Sequence, residues 1–175
     1  MDNLAFFKSI YDRELARRLE LNDALNIPIG IIAILTAVLS YIISNLKSCS
    51  DPVLFWIILS FTVIAIILSF ISIFFLALSY NNIFKGHDYR NLALTKEIRK
   101  YQADLEKYNH EVTKNENKID FENILIDKLN YYTDIHILIN DFRQIKLYYA
   151  KSLIIGSTFC TLIALLLLIL NIQLQ

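Results

Sequence analysis

Three long apolar runs, separated by polar stretches, set the pattern of this chain. Ile27 to Leu46 is 20 residues without a charge, Val53 to Tyr80 is 28, and Ser152 to Leu170 is 19. About 20 apolar helical residues cover a hydrocarbon core of roughly 30 Å. Each run therefore predicts a membrane helix, the second with tilt or overhang. The connection KSCSDP, Lys47 to Pro52, has six residues and forces the first two spans into an antiparallel hairpin. Asp51 followed by Pro52 predicts the second start, with Asp as N-cap and Pro in the first helical position. Asn26 is the matching candidate cap for the first span. Pro28 cannot donate to the Ala24 carbonyl, so a kink or break is expected there.

The polar stretches carry a helical period of their own. Leu92, Ala93, Ile98, Tyr101, Leu105, Tyr108 and Val112 predict one helix from Asn91 to about Val112. The Asn-rich KNENKID, Lys114 to Asp120, reads as a turn. Leu125, Leu129, Tyr132, His136, Ile139, Phe142 and Ile145 then mark a second face, and no breaker stands between Phe121 and Leu170. One helix of about 50 residues, on the order of 75 Å, is the expectation.

Charge sets the orientation. Residues 1–26 hold four Lys and Arg, the 47–52 loop one, residues 81–151 twelve, and the tail after Leu170 none. Lys85, Arg90, Lys146 and Lys151 flank the spans, where this bias acts. The N-terminus and the 81–151 region are expected in the cytoplasm and the C-terminus outside. The first 26 residues lack the short apolar core and cleavage site of a signal peptide. This organisation suits a multi-pass protein of the bacterial inner (cell) membrane. The expected parts are a cytoplasmic amphipathic helix (1–26), a two-span hairpin (27–80), a cytoplasmic helical insert (81–151), and a third span with a short outer tail (152–175). In the first part Leu15, Leu19 and Leu25 lie near one face.

Composition agrees with a helical membrane protein. Hydrophobic residues make up 55% of the chain, with three Gly and two Pro, and mean hydropathy is +0.44. That excess excludes an ordinary soluble domain. Cys49 and Cys160 are too few for a disulfide framework or metal cluster; Cys49 is open to pairing with its own copy or to remaining a thiol. His87, His110 and His136 lie 23 and 26 positions apart, fit no local ligand motif, and read as surface or interface side chains. There is no phosphate loop or Cys–His pair, and the spans hold no acid or base. The expectation is a protein that is not an enzyme and takes no metal or cofactor.

Each span nevertheless carries small and weakly polar residues: Thr36, Ser40 and Ser44 in the first; Thr62, Ala65, Ser69, Ser72 and Ser79 in the second; Gly156, Cys160 and Ala164 in the third, with Ser157 and Thr161 beside them. Close helix packing is one reading. A hydroxyl-lined pore wall is the other, with Thr36, Ser40, Ser44, Ser69 and Ser72 as candidate lining. Three helices are too few to enclose a conduit, so a pore implies several copies around an axis, for instance a tetramer. In the insert, cations and rings interleave, and Arg90, Arg99, Lys100, Tyr101, Tyr108, Arg143 and Lys146 are candidate ligand residues. Such pairs suit single-stranded nucleic acid. The competing reading is an aromatic belt with a positive-inside flank, and the insert's 11 acids against 12 bases leave no broad basic field.

The block YDRELARRLELNDALNIPIGIIAILTAVLSYII, Tyr11 to Ile43, resembles small bacterial membrane effectors of anti-phage defence, in particular the transmembrane effector of the Hailong system. The order of parts along the chain resembles them too. The resemblance implies an oligomeric membrane channel held closed by a single-stranded DNA oligomer from a partner nucleotidyltransferase, and opened when that ligand is lost. The expected fold is thus an all-α membrane protein, three transmembrane helices with a cytoplasmic helical hairpin, in a symmetric homo-oligomer. The alternative function is a non-conducting membrane scaffold or anchor whose insert recruits a soluble partner.

Overall fold

The computed structural model describes residues 3–49, 51–80, 89–112 and 118–173. Every regular element among them is helical: α1 (Asn3–Asp23), α2 (Asn26–Asn45) followed by a 3-10 turn (Leu46–Ser48), α3 (Pro52–Ser79), α4 (Thr95–Glu111) and α5 (Phe121–Gln173). Three stretches are long and apolar enough to cross a membrane: Asn3–Asn45, taken across the break after α1, Pro52–Ser79, and Phe121–Gln173. They fit a multi-pass membrane protein. α5 is unbroken over 53 residues, as the absence of breakers predicts.

The chain forms two compact units, one from Met1–Leu19 with His87–Asp141, the other from Glu20–Gly86 with Phe142–Gln175. The second unit is a three-helix bundle. Near one end Leu21, Leu25, Leu76, Leu147 and Ala150 pack together; near the other, Ile42, Leu46, Ile58, Ala164 and Leu168 do so. The start of α2 thus meets the end of α3, and the reverse, so α3 runs antiparallel to α2 and to this part of α5. Its buried positions follow alternating steps of four and three. On α3 they are Ile58, Thr62, Ala65, Ser69, Ser72, Leu76 and Ser79. On α5 they are Arg143, Leu147, Ala150, Ile154, Ser157, Thr161, Ala164, Leu168 and Asn171. A 3.5-residue repeat keeps one seam against its neighbours, as in a left-handed coiled coil.

Small residues let α3 and α5 approach, and their hydroxyls then bond across the gap. Ser157 Oγ lies 2.9 Å from the Ala65 carbonyl, to which it donates, and 2.8 Å from Ser69 Oγ. With its proton on Ala65, it accepts from Ser69. Ser72 Oγ donates to the Ala150 carbonyl at 3.0 Å.

The start of α3 is as expected: the Asp51 carboxylate accepts from the Val53 N–H at 2.8 Å, and Pro52 opens the helix. The start of α2 is not. Asn26 is the first helical residue rather than the cap, and Leu25 holds the cap position without a side-chain hydrogen bond. The break falls at Ala24–Leu25, where the Leu25 N–H bonds to Asn22 rather than one residue further back. Pro28 sits inside the first turn, where its missing donor is one of the groups that go unpaired anyway. The buried face of α1 differs too: Tyr11, Glu14 and Leu21 are buried, Leu15 is half-buried, and Leu19 is 64% exposed.

The other unit combines the start of α1, residues 89–94, α4 and the start of α5. α4 begins at Thr95, four residues later than expected, and Leu92 and Ala93 precede it as non-helical chain. Of the predicted turn, Lys118–Asp120 are non-helical, whereas residues 114–117 lie outside the described residues, as do Lys85 and His87. The Asn109 amide donates to the Ile119 carbonyl at 2.8 Å and accepts its N–H at 2.9 Å, tying the end of α4 to the approach to α5. Asp120 caps α5 through the Glu122 N–H at 3.0 Å.

Arg143 is the largest fully buried side chain among the described residues. Its Nε donates to the Ser79 carbonyl at 2.8 Å and its Nη2 to Asn22 Oδ1 at 2.6 Å, while Ser79 Oγ donates back to the Arg143 carbonyl at 2.9 Å. A cation at the C-terminal carbonyls of α3 also complements that helix's dipole. Arg143→Ala should cost about 2–3 kcal/mol, because charged hydrogen bonds are lost and buried acceptors are stranded. Arg143→Lys should fall between. Denaturant unfolding in mild detergent, followed by circular dichroism, measures both.

Candidate functional site

Two features of the first unit could serve a ligand or a signal. One is a cavity of about 540 Å³ between residues 92–93, α4 and the start of α5. Leu92, Ile98, Tyr101, Phe121, Leu125 and Tyr132 make its wall, and Glu97 and Lys128 are its charged groups. Its shape follows from the pairing of α4 with α5, where Tyr101 and Phe121 place their rings 6.4 Å apart. An apolar, ring-lined slot with one acid and one base suits a flat or apolar group bearing a polar end. The described lining contains no Ser, Cys or His.

The other feature is a buried polar cluster. Glu14, Asn140 and His136 are nearly or wholly sealed from solvent. The Asn140 amide donates to the Glu14 carbonyl at 3.0 Å and to its carboxylate at 3.1 Å, and accepts from the Tyr89 hydroxyl at 2.6 Å. Arg17 bridges Glu14 at 3.4 Å and Asp141 at 2.6 Å. Arg18 lies 4.3 Å from the centre of the Tyr89 ring. The rings of Tyr11 and Tyr89 flank His136 at 5.3 and 5.2 Å.

His136 Nε2 is 2.8 Å from the Arg90 carbonyl. A carbonyl only accepts, so Nε2 carries the proton and Nδ1 is a bare acceptor. Nδ1 has no hydrogen-bond partner among the described residues. Burial pushes the His136 pKa below its ordinary value of 6.5, the Arg90 carbonyl bond acts upward, Arg18 downward and Glu14 upward. Comparison with known protein families, with curated proteins and with solved structures finds no match for this chain.

The expected ligand residues are divided between the two units. Arg90, Arg99, Lys100, Tyr101 and Tyr108 belong to the first unit and are exposed, though of these only Tyr101 lines the cavity. Arg143 and Lys146 belong to the second. Arg143 is corrected from a ligand residue to a buried tie, because it lies inside the bundle with Nε on the Ser79 carbonyl and Nη2 on Asn22. Lys146 is half-buried over Phe142 and Phe75, 4.9 and 5.8 Å from their ring centres. Among the pore candidates, Ser69 and Ser72 are likewise corrected, since they are enclosed between α3 and α5. Thr36, Ser40 and Ser44 are exposed, and each donates at 2.8 Å to the carbonyl four residues back.

Of the two positions expected for the histidines, surface or interface, His136 takes the second: it is fully buried against Tyr11, Tyr89 and the Arg90 carbonyl. Sequence reading also missed Glu14, Tyr89 and Asn140. The available signal was spacing, since Leu129, Thr133, His136 and Asn140 repeat the four-and-three steps of a core seam while three of them are polar.

A buried neutral histidine contributes stability that is complete above pH 6.5 and declines as pH falls below it, because the unfolded chain then binds the extra proton. His136→Gln keeps a donor for the Arg90 carbonyl and removes the titration. The stability difference between wild type and His136→Gln should therefore shift against wild type between pH 7 and about 5.5, read by thermal unfolding in detergent.

Proposed function

We propose that the chain is one subunit of a homo-oligomeric membrane pore, an effector of bacterial anti-phage defence that a cytoplasmic ligand holds closed. The observation that carries this reading is the stripe of Thr36, Ser40 and Ser44. It stays exposed on α2, outside the chain's own helix contacts, whereas the hydroxyls of Ser69, Ser72 and Ser157 are used within the bundle. Hydroxyls bonded to their own helix leave no donor stranded in lipid. They also offer a wettable wall if several α2 helices surround an axis.

In this reading the inner membrane of a bacterium is the location, with the N-terminus and the 81–151 region in the cytoplasm. The ligand is a single-stranded DNA oligomer made by a partner nucleotidyltransferase, as the resemblance of the Tyr11–Ile43 block suggests. Arg99, Lys100, Tyr101 and Tyr108 supply exposed cations and rings on α4, suited to phosphates and stacked bases. A ligand that bridges neighbouring subunits favours the closed arrangement to the extent that it binds that arrangement more tightly. The apolar cavity beside α4 favours a second reading, a non-conducting anchor that recruits a soluble partner through its helical insert.

Liposomes carrying the ligand-free protein should conduct ions. In a Cys49→Ser, Cys160→Ser background, a charged thiol reagent should block current through Ser40→Cys and leave Ser69→Cys unaffected. Vesicles that stay tight at high protein density, together with a monomeric mass in mild detergent, would select the anchor instead.

A further inference from the structure

Residues 89–94 lead into α4 without helical structure, and this short strap is fastened at its start. The Tyr89 hydroxyl donates to Asn140 Oδ1 at 2.6 Å, and the Arg90 carbonyl accepts from His136 Nε2 at 2.8 Å. Arg18 of α1 stands over the Tyr89 ring. Immediately beyond the fastening, Leu92 and Ala93 form part of the cavity wall. One wall of the cavity therefore hangs from a segment that a titratable ring holds in place.

That ring has room for one proton. His136 is wholly buried, its Nε2 proton is used on Arg90, and Nδ1 has no partner among the described residues. The groups around it are Tyr11, Glu14 and Arg18 from α1, Tyr89 from the strap, and Asn140 one turn further along α5. Glu14 is already engaged by the Asn140 amide and by Arg17, which also holds Asp141. Arg18 is a cation and opposes a second positive charge. A proton on Nδ1 would thus leave a buried donor unpaired, which costs more than moving the ring out to water.

We propose that His136 is a proton-operated latch: a proton from solvent taken up at Nδ1 drives the ring from its seat, frees the Arg90 carbonyl, and releases the strap from the cavity. The closed strap resists that proton and the open one accepts it at the ordinary value of 6.5, so acid favours opening. The midpoint lies below that value, by about one pH unit for each tenfold preference of the neutral chain for the closed strap. A ligand touching Leu92 or Ala93 is then held at neutral pH and let go in acid, and by reciprocity its binding lowers the midpoint further. The latch is independent of whether the spans conduct.

Nitroxide pairs read by pulsed electron paramagnetic resonance test it, in the full chain with Cys49→Ser and Cys160→Ser. The labelled protein is kept in mild detergent and diluted with unlabelled chain, so that each distance lies within one copy. Asn91→Cys with Asp127→Cys spans the strap and α5; Asp104→Cys with Asp127→Cys spans α4 and α5. All three positions are exposed. The strap pair should show one narrow distance near neutrality and a second, longer population, reversibly, as pH falls from about 6.5 to about 4.5. The α4 pair should not change. His136→Gln donates to the same carbonyl without titrating and should keep the strap closed throughout. Tyr89→Phe loses the Asn140 bond and should raise the midpoint by up to about one unit. A strap that stays closed to about pH 4.5 in both wild type and Tyr89→Phe overturns the latch. So does a transition that survives in His136→Gln, or one shared by the α4 pair, which would report the whole unit coming apart. If His136→Gln displaces the strap even at neutral pH, Tyr89→Phe decides: a raised midpoint supports the latch and an unmoved one overturns it.

Discussion

Inside a lipid bilayer helices gain nothing by hiding apolar surface from one another, so the bundle depends on how closely they can pack and what they can bond. The contact between α3 and α5 meets that constraint. Ser157 reaches both the Ala65 carbonyl and Ser69, and Ser72 reaches the Ala150 carbonyl. Such bonds form only where no large side chain separates the backbones. A Cβ added at Gly156 would stand 3.4 Å from the Leu68 side chain, already at ordinary contact. The four-and-three spacing of the small residues follows from this, because only a seam that stays in register lets each hydroxyl find a carbonyl opposite.

The unit with α4 uses the same spacing under a different physics. Its seam includes Thr133, His136 and Asn140, and Glu14 is brought in from α1. Buried polar groups are costly unless paired, and a nearly complete network specifies one arrangement better than interchangeable leucines do. Asn140 uses its amide nitrogen on Glu14 and its amide oxygen on Tyr89. His136 completes only half its inventory. That makes it the group whose protonation this packing opposes, since a second N–H would meet no acceptor among the described residues.

What could be read from the sequence depended on whether one chain segment determined it. Charge-free runs located the spans, Asp51 and Pro52 located the start of α3, and the absence of breakers predicted the continuity of α5. The break before α2 was displaced from Pro28 because a proline in a first turn costs no hydrogen bond, so the residue type alone does not mark the bend. The fates of individual polar residues depended on neighbours far along the chain. Ser40 and Ser69 are the same residue on two apolar helices, yet one bonds within its own helix and the other across to Ser157. Arg143 looked like a surface cation because arginine is rarely buried. The carbonyl end of α3 and the Asn22 side chain, far along the chain, hold it inside.

The residues left outward follow from the residues turned in. A helix with a 3.5-residue seam has one face committed to its neighbours and an opposite face whose character is free to vary. On α3 the outward face is apolar, with Trp56, Phe70 and Phe74 exposed, as a lipid-facing surface should be. On α2 it includes the ladder of Thr36, Ser40 and Ser44, and lipid alone gives no reason for hydroxyls at every fourth position. On α5, outside the apolar span, it carries Tyr131 and Leu138, and water gives no reason for large apolar groups seven residues apart. Each surface suits something other than the solvent at its depth: a ladder of hydroxyls suits water or another helix within the membrane, and a leucine–tyrosine seam suits another helix outside it. In the proposed pore, copies of the same chain around an axis would meet the first of these, and a soluble partner docked on the insert would meet the second.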